Sequence, residues 1–209
     1  MNPEIARRFE ANQEVGTGVS NDKLGMWIFL ASEVIFFAVL IAACLTLRFR
    51  VDDWEIHRAA AFPDPRLATI NTFILVMSSV FVVSAIDAIR KGNERMMKLW
   101  LWLTLVGGTI FLYVQTLEWE ELDHGIYHET GLHGFEGATE SMFGAAFYTL
   151  TGFHGAHVFI GILLLLWVMI RAYRGDFTAK SYNGIEIWGL YWHFVDLVWI
   201  MLFTVLYLV

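Results

Sequence analysis

Five long apolar stretches, each fenced by polar or turn-forming residues, organise this chain: 24–47, 69–89, 98–118, 142–172 and 184–209. Each reaches the ~20 residues that a helix needs to cross ~30 Å of hydrocarbon. Backbone amides have no water to bond with in lipid, so only helices and closed barrels cross it. The apolar-out, polar-in alternation of barrel strands is absent, and the pattern therefore predicts five helices. The breaks are RFRVDDWEIHRAAAFPDPR with Pro63 and Pro65, RKGNER, a Gly/His/Glu-rich stretch from Glu118 to Glu140, and YRGDFTAKSYNG. The expected fold is all-α and polytopic: a single membrane domain over 1–209, with an N-terminal segment 1–23 and an acidic loop 119–141.

Composition agrees, with 57% hydrophobic and only 17% charged residues, too apolar for an ordinary soluble domain. The first twenty residues are polar and charged, so no cleavable signal peptide is expected. The lone Cys44 forms no internal disulfide and reads as a small core residue. A net charge of −7 gives no reason to expect nucleic-acid binding. Basic residues set the orientation. One side of a five-span chain holds Arg7, Arg8, Lys23, Arg90, Lys91, Arg95, Lys98, Arg171, Arg174 and Lys180, and the other holds Arg48, Arg50, Arg58 and Arg66. Basic loops stay in the cytoplasm, which places the N-terminus there and the C-terminus in the periplasm. The loop between the third and fourth spans carries Glu120, Glu121, Asp123, Glu129, Glu136 and Glu140 without a Lys or Arg. Asp87 precedes Arg90 and Lys91 at ion-pair spacing.

Against this background Glu33 stands out, because an ionisable carboxyl inside a span is costly and normally has a partner or a purpose. At ~1.5 Å of rise per residue, Glu33 lies ~14 Å deep, and His193 and Asp196 lie ~12 and ~17 Å deep. His157 sits near the centre of the long fourth span, and His154 one turn further out. Since His154 and His157 share a helix face, as do His193 and Asp196, the expectation is one intramembrane polar cluster of Glu33, His154, His157, His193 and Asp196. The charged form of Glu33 is disfavoured in low dielectric, which predicts a neutral acid hydrogen-bonded to His157 or His193.

Three chemistries fit such a cluster. The groups can satisfy one another and hold the helices in register, the packing reading, which His193 and Asp196 between Trp192 and Trp199 favour. They can ligate a metal, although HxxH lacks the HExxH spacing of a zinc peptidase and no cysteine pair supports it. Bis-histidine haem ligation would need His154 and His193 to face each other. They can also relay protons through Glu33. Gly144, Gly152, Gly155 and Gly161 punctuate the fourth span and read as close-packing positions. Trp100, Trp102 and Trp188 read as interfacial anchors, and His124, His128 and His133 as a solvated loop.

MWIFLASEVIFF (26–37), NTFILVMSS (71–79) with Asn71, Gln115 and Glu118 in VQTLEWEEL, FYTLTGFHGAHVFIG (147–161) with Gly152 and Gly155, and YWHFVDLVW (191–199) with Trp192 and Trp199 together resemble subunit III of the haem-copper terminal oxidases. The resemblance runs from Lys23 to Tyr207, in the short five-helix bacterial form, and does not account for the loop 120–140. It implies a subunit of the bacterial inner membrane without catalytic residues, cofactor or metal of its own. Haem and copper then lie in partner subunits, with subunit I as direct neighbour and subunit II in the complex. The resemblance further implies that Glu33 is the family's carbodiimide-reactive carboxyl, beside a cleft that holds phospholipid and supports subunit I and its proton uptake. A stand-alone proton or ion transporter, a membrane metal enzyme and a quinol-oxidase subunit remain open alternatives.

Overall fold

A computed structural model describes residues 14–15, 19–50, 54, 66–130 and 142–208, with side chains omitted at 14–15, 19 and 123–130. Five helices form: α1 Asn21–Arg50, α2 Arg66–Arg90, α3 Glu94–Thr130, α4 Met142–Tyr173 and α5 Asn183–Phe203, the last running on into a π-helical turn at Thr204–Leu208. All are long and apolar enough to cross a membrane. A two-residue pairing of Glu14–Val15 with Val19–Ser20 precedes α1, and the fold is all-α with five spans.

Local chemistry sets the helix ends. The Ser20 hydroxyl accepts from the Lys23 amide at 3.4 Å and caps α1, with Asp22 favourable in the first turn. Between α2 and α3, Gly92 takes φ +74, which a side chain would resist. Its amide bonds to Ile89 O and that of Asn93 to Ala88 O, closing α2. The Asn93 side chain then accepts from the Met96 amide at 3.2 Å and opens α3.

The spans begin near the expected positions, but α3 runs to Thr130. Residues 119–130 of the expected outer loop are thus helical, because a helix need not stop where hydrocarbon stops and EWEEL is rich in good helix formers. The side chains of Asp123, His124, His128, Glu129, His133, Glu136 and Glu140, and residues 1–13, lie outside the described set.

Contacts between helix ends give the up-and-down arrangement. Glu186 at the start of α5 binds Lys23 at the start of α1 and Arg90 at the end of α2, the latter at 2.7 Å. Trp102 near the start of α3 donates to the Tyr173 hydroxyl at the end of α4 (2.9 Å). At the opposite end Tyr207 of the π turn donates to Glu118 of α3 (3.3 Å). The Asp87 pairing is realised with Lys91 at 2.6 Å, while Arg90 turns to Glu186 and to the Tyr182 hydroxyl.

α5 is the most enclosed helix and α1 the least. α1 buries the single stripe Leu30, Phe37 and Cys44, and leaves Trp27, Ile28, Val34, Ile35 and Val39 exposed. A seven-residue repeat returns to the same face every two turns, so this stripe is the seam by which α1 rests on α4 and α5.

Three indoles of α5 tie the bundle together. Trp188 donates to the Gly161 carbonyl (3.0 Å), Trp192 to the Ser78 hydroxyl (2.9 Å) and Trp199 to the Thr72 hydroxyl (2.8 Å). Trp188 is therefore a buried strut rather than the interfacial anchor its position suggested. The Trp192 ring is fully buried where α3 and α4 offer no side chain: a Cβ at Gly108 would stand 2.7 Å from it, and one at Gly161 2.9 Å.

Candidate functional site

The five cluster residues occupy three separate places. Glu33 and His157 meet at 3.2 Å between a carboxylate oxygen and Nε2. His157 Nδ1 approaches the Phe153 carbonyl at 2.7 Å, one turn back on its own helix, so that nitrogen carries the proton and Nε2 faces the carboxyl as acceptor if the ring is neutral. A neutral Glu33 then donates; an ionised one requires a doubly protonated ring. Tyr191 donates its hydroxyl to the His157 carbonyl at 2.9 Å, joining α5 to the same spot.

This pair lies on a flank. Glu33 and His157 keep 20% and 15% of their side-chain surface. Around them are Phe36 and Phe37 of α1, the latter edge-on to the His157 ring at 5.1 Å, and Phe153 of α4, edge-on to Phe36 at 5.1 Å. Phe29, Val34 and Phe153 are exposed nearby. The result is a polar pair in an aromatic collar, reachable from the side of the bundle.

His154 points elsewhere. Three residues back from His157 on α4, it is wholly buried, stacked on Trp199 (centroids 4.9 Å apart) and meeting Phe111 edge-on at 5.7 Å. His193 turns to α2, where its Nδ1 lies 3.1 Å from the Ser79 hydroxyl. The buried Asp196 carboxyl engages the same hydroxyl. Among the described residues no hydrogen bond joins Glu33 to His154, His193 or Asp196. The single converging cluster is thus corrected to a pair on the flank of the bundle, a core histidine and an α2–α5 polar contact. Residues three apart point ~60° away from each other around a helix, enough to address different neighbours.

The motif residues form the inner scaffold. Asn71 donates to the Phe111 carbonyl (3.2 Å) and Gln115 to the Thr151 carbonyl (2.7 Å), while Trp119 bonds the Thr151 hydroxyl (3.0 Å). A Cβ at Gly155 would stand 3.1 Å from Gln115 Oε1. One at Gly152 would touch only the Trp119 ring, at 3.9 Å. Glu118 is buried against Tyr207.

Sequence reasoning missed Arg171. It lines a cavity of about 530 Å³ with Trp167, Phe177, Asn183, Gly184 and Trp188 at the basic end. Its guanidinium lies 5.0 Å from both the Trp167 and Phe177 ring centres and binds Asp176 at 3.0 Å. Its position in the last turn of α4, four residues after Trp167, was the available signal. Among the described residues no group of three or more His, Cys, Asp or Glu side chains is placed to hold a metal ion.

Comparison with known proteins gives one consistent family. The sequence profile of Cytochrome c oxidase subunit III matches residues 9–209. Cytochrome c oxidase subunit 3 of Thermostichus vulcanus is 39% identical over 186 residues, covering 88% of this chain and 86% of the relative. That of Bacillus subtilis (strain 168) is 36% identical over 204 residues, covering 97% and 94%. The probable cytochrome c oxidase subunit 3 of Rickettsia prowazekii (strain Madrid E) is 34% identical over 200 residues, covering 89% of this chain and 68% of that longer protein.

Proposed function

From the premise that this chain belongs to the cytochrome c oxidase subunit III family, we propose that it packs against the catalytic subunit I of an oxidase, in a complex that also holds subunit II. It is a multi-pass membrane protein and an accessory subunit of that complex. In this reading haem and copper belong to the partner subunits, oxygen is reduced there, and this chain stabilises subunit I and its proton uptake through a lipid-lined cleft. The basic end of the bundle faces the cytoplasm of a bacterial cell, and the Glu118–Tyr207 end faces the periplasm. The family assignment displaces the stand-alone transporter.

The observation that carries the cleft reading is the Glu33–His157 pair on the open flank between α1 and α4. A polar pair at that level is costly in bare hydrocarbon and persists where it bonds internally and where headgroups or water reach it. The aromatic collar of Phe36, Phe37 and Phe153 suits an acyl chain. A neutral Glu33 donating to His157 also gives a hydrophobic carbodiimide the protonated acid that it attacks.

Glu33→Gln tests a supporting role, because it keeps shape and a hydrogen-bond donor toward His157. Initial turnover of the intact oxidase should stay within about twofold of wild type, a difference of ~0.4 kcal/mol in barrier, while labelling by a hydrophobic carbodiimide disappears. Immediate loss of all oxygen reduction would contradict the proposal.

A further inference from the structure

The outer half of the core holds more buried acceptors than its own side chains can satisfy. Asn71, at 1% exposure, and Gln115, at 3%, each spend their NH2 group on a carbonyl, that of Phe111 and of Thr151 respectively. Their amide orientations are therefore fixed, since a flip would set oxygen against oxygen. That leaves Asn71 Oδ1 and Gln115 Oε1 as buried acceptors without a partner among the described residues, and both ring nitrogens of the fully buried His154 are likewise without one. A neutral imidazole always carries one N–H and one lone pair, so His154 brings one donor and one more acceptor.

Shared neighbours link these groups. Asn71 bonds the Phe111 carbonyl, the Phe111 ring meets His154, and Gln115 is one turn further along α3, lying against Gly155 next to His154. Trp199 closes the site, stacked on His154 and edge-on to Phe111 at 4.8 Å. One turn outward the buried Glu118 adds another unpartnered acceptor, Oε1. Together these groups offer four acceptors, three amide or carboxyl oxygens and one ring nitrogen, and one donor, the imidazole N–H.

We propose that this is a buried hydration site: ordered water between α2, α3, α4 and α5 donates to Asn71 Oδ1 and Gln115 Oε1 and bonds the His154 ring nitrogens in the plane of the ring. Water is the ligand whose chemistry matches. It supplies two donors where donors are short, accepts the one N–H, and bonds two to four partners at once, as buried water in proteins does. Leaving these groups dry would forfeit the hydrogen bonds they make to water before the chain folds, with nothing to replace them. An acyl chain offers no donor. A metal ion would be met at this position by one imidazole and neutral amides, with the nearest carboxylate a turn away and already bonded to Tyr207. The inference is independent of the proposed lipid cleft, since His157 of that flank meets Glu33 of α1 while His154 meets Trp199 of α5.

The test is a density map of the intact oxidase complex, at a resolution that shows ordered water. The expected result is a water-sized feature within ~3.2 Å of a His154 ring nitrogen and of Asn71 Oδ1. In Asn71→Leu, which removes one acceptor and fills volume, that feature should be lost or displaced while the His154 ring stays stacked on Trp199. A dry contact around His154 in the wild-type map would overturn the proposal. So would a metal ion, a lipid or a side chain of a partner subunit in that place, or an Asn71→Leu map with the feature unchanged.

Discussion

Trp192→Ala is expected to destabilise the folded chain by about 3 kcal/mol, the lower end of the ~3–5 kcal/mol seen when a large buried aromatic is cut to alanine. The indole is fully buried and joins four helices: α5 carries it, Ser78 of α2 accepts its N–H, and its six-membered ring sits against Gly108 of α3 and Gly161 of α4. In a membrane the transfer term shrinks, because lipid tails are as apolar as the protein interior. The cavity and the lost dispersion contacts remain, and Ser78 loses a hydrogen bond. Denaturant titration of the complex in detergent should show earlier loss of this chain, with the catalytic subunit's spectrum surviving at first. Unchanged retention would mean that the four-helix clasp is not where the stability lies.

Gly108→Ala approaches the same joint from the other side and should cost about 1–3 kcal/mol through overpacking. Its Cβ would stand 2.7 Å from Trp192 Cη2 and 3.1 Å from Cζ2, and a buried ring tied at Nε1 cannot swing away. Combining it with Trp192→Phe, which removes the colliding part of the indole, should recover part of the loss. The two changes are then non-additive, as expected for residues in contact. Additive costs in thermal unfolding of the four proteins would show that the α3–α5 approach is looser than the structure has it. Gly152→Ala, whose Cβ meets nothing closer than 3.9 Å, is the internal control and should be near neutral.

The spans and the all-α architecture were legible because hydrocarbon imposes one rule on every residue it touches, and uninterrupted apolar runs record that rule directly. The motif string also led to the family. Depth along the helix axis was legible as well: rise per residue set the level of Glu33, the centre of the long fourth span set that of His157, and the two meet. Direction around the axis was not. His154 and His157 lie within one turn yet face Trp199 and Glu33 respectively, since the neighbour each meets depends on how α4 is rotated between α1, α3 and α5. No single-helix pattern encodes that rotation when the helix is apolar all round. The same blindness hid the role of Trp188, whose place at a helix start suits an anchor equally well. Gly108 was passed over beside Gly107, because a small residue announces that something is close without saying what. Helix α3 outran its apolar stretch, since charged residues end a membrane span without ending a helix.

The central claim is that this chain is an accessory oxidase subunit whose chemistry lies in its neighbours. It is tested most directly by purifying the membrane complex through a tag on this chain and recording its reduced-minus-oxidised visible spectrum, alongside that of the chain separated from it. The account predicts that a haem-copper catalytic subunit accompanies the tag, that the haem signal travels with that subunit, and that the separated chain shows no visible absorption. A chain that purifies alone, and carries bound metal or moves protons by itself, would contradict it.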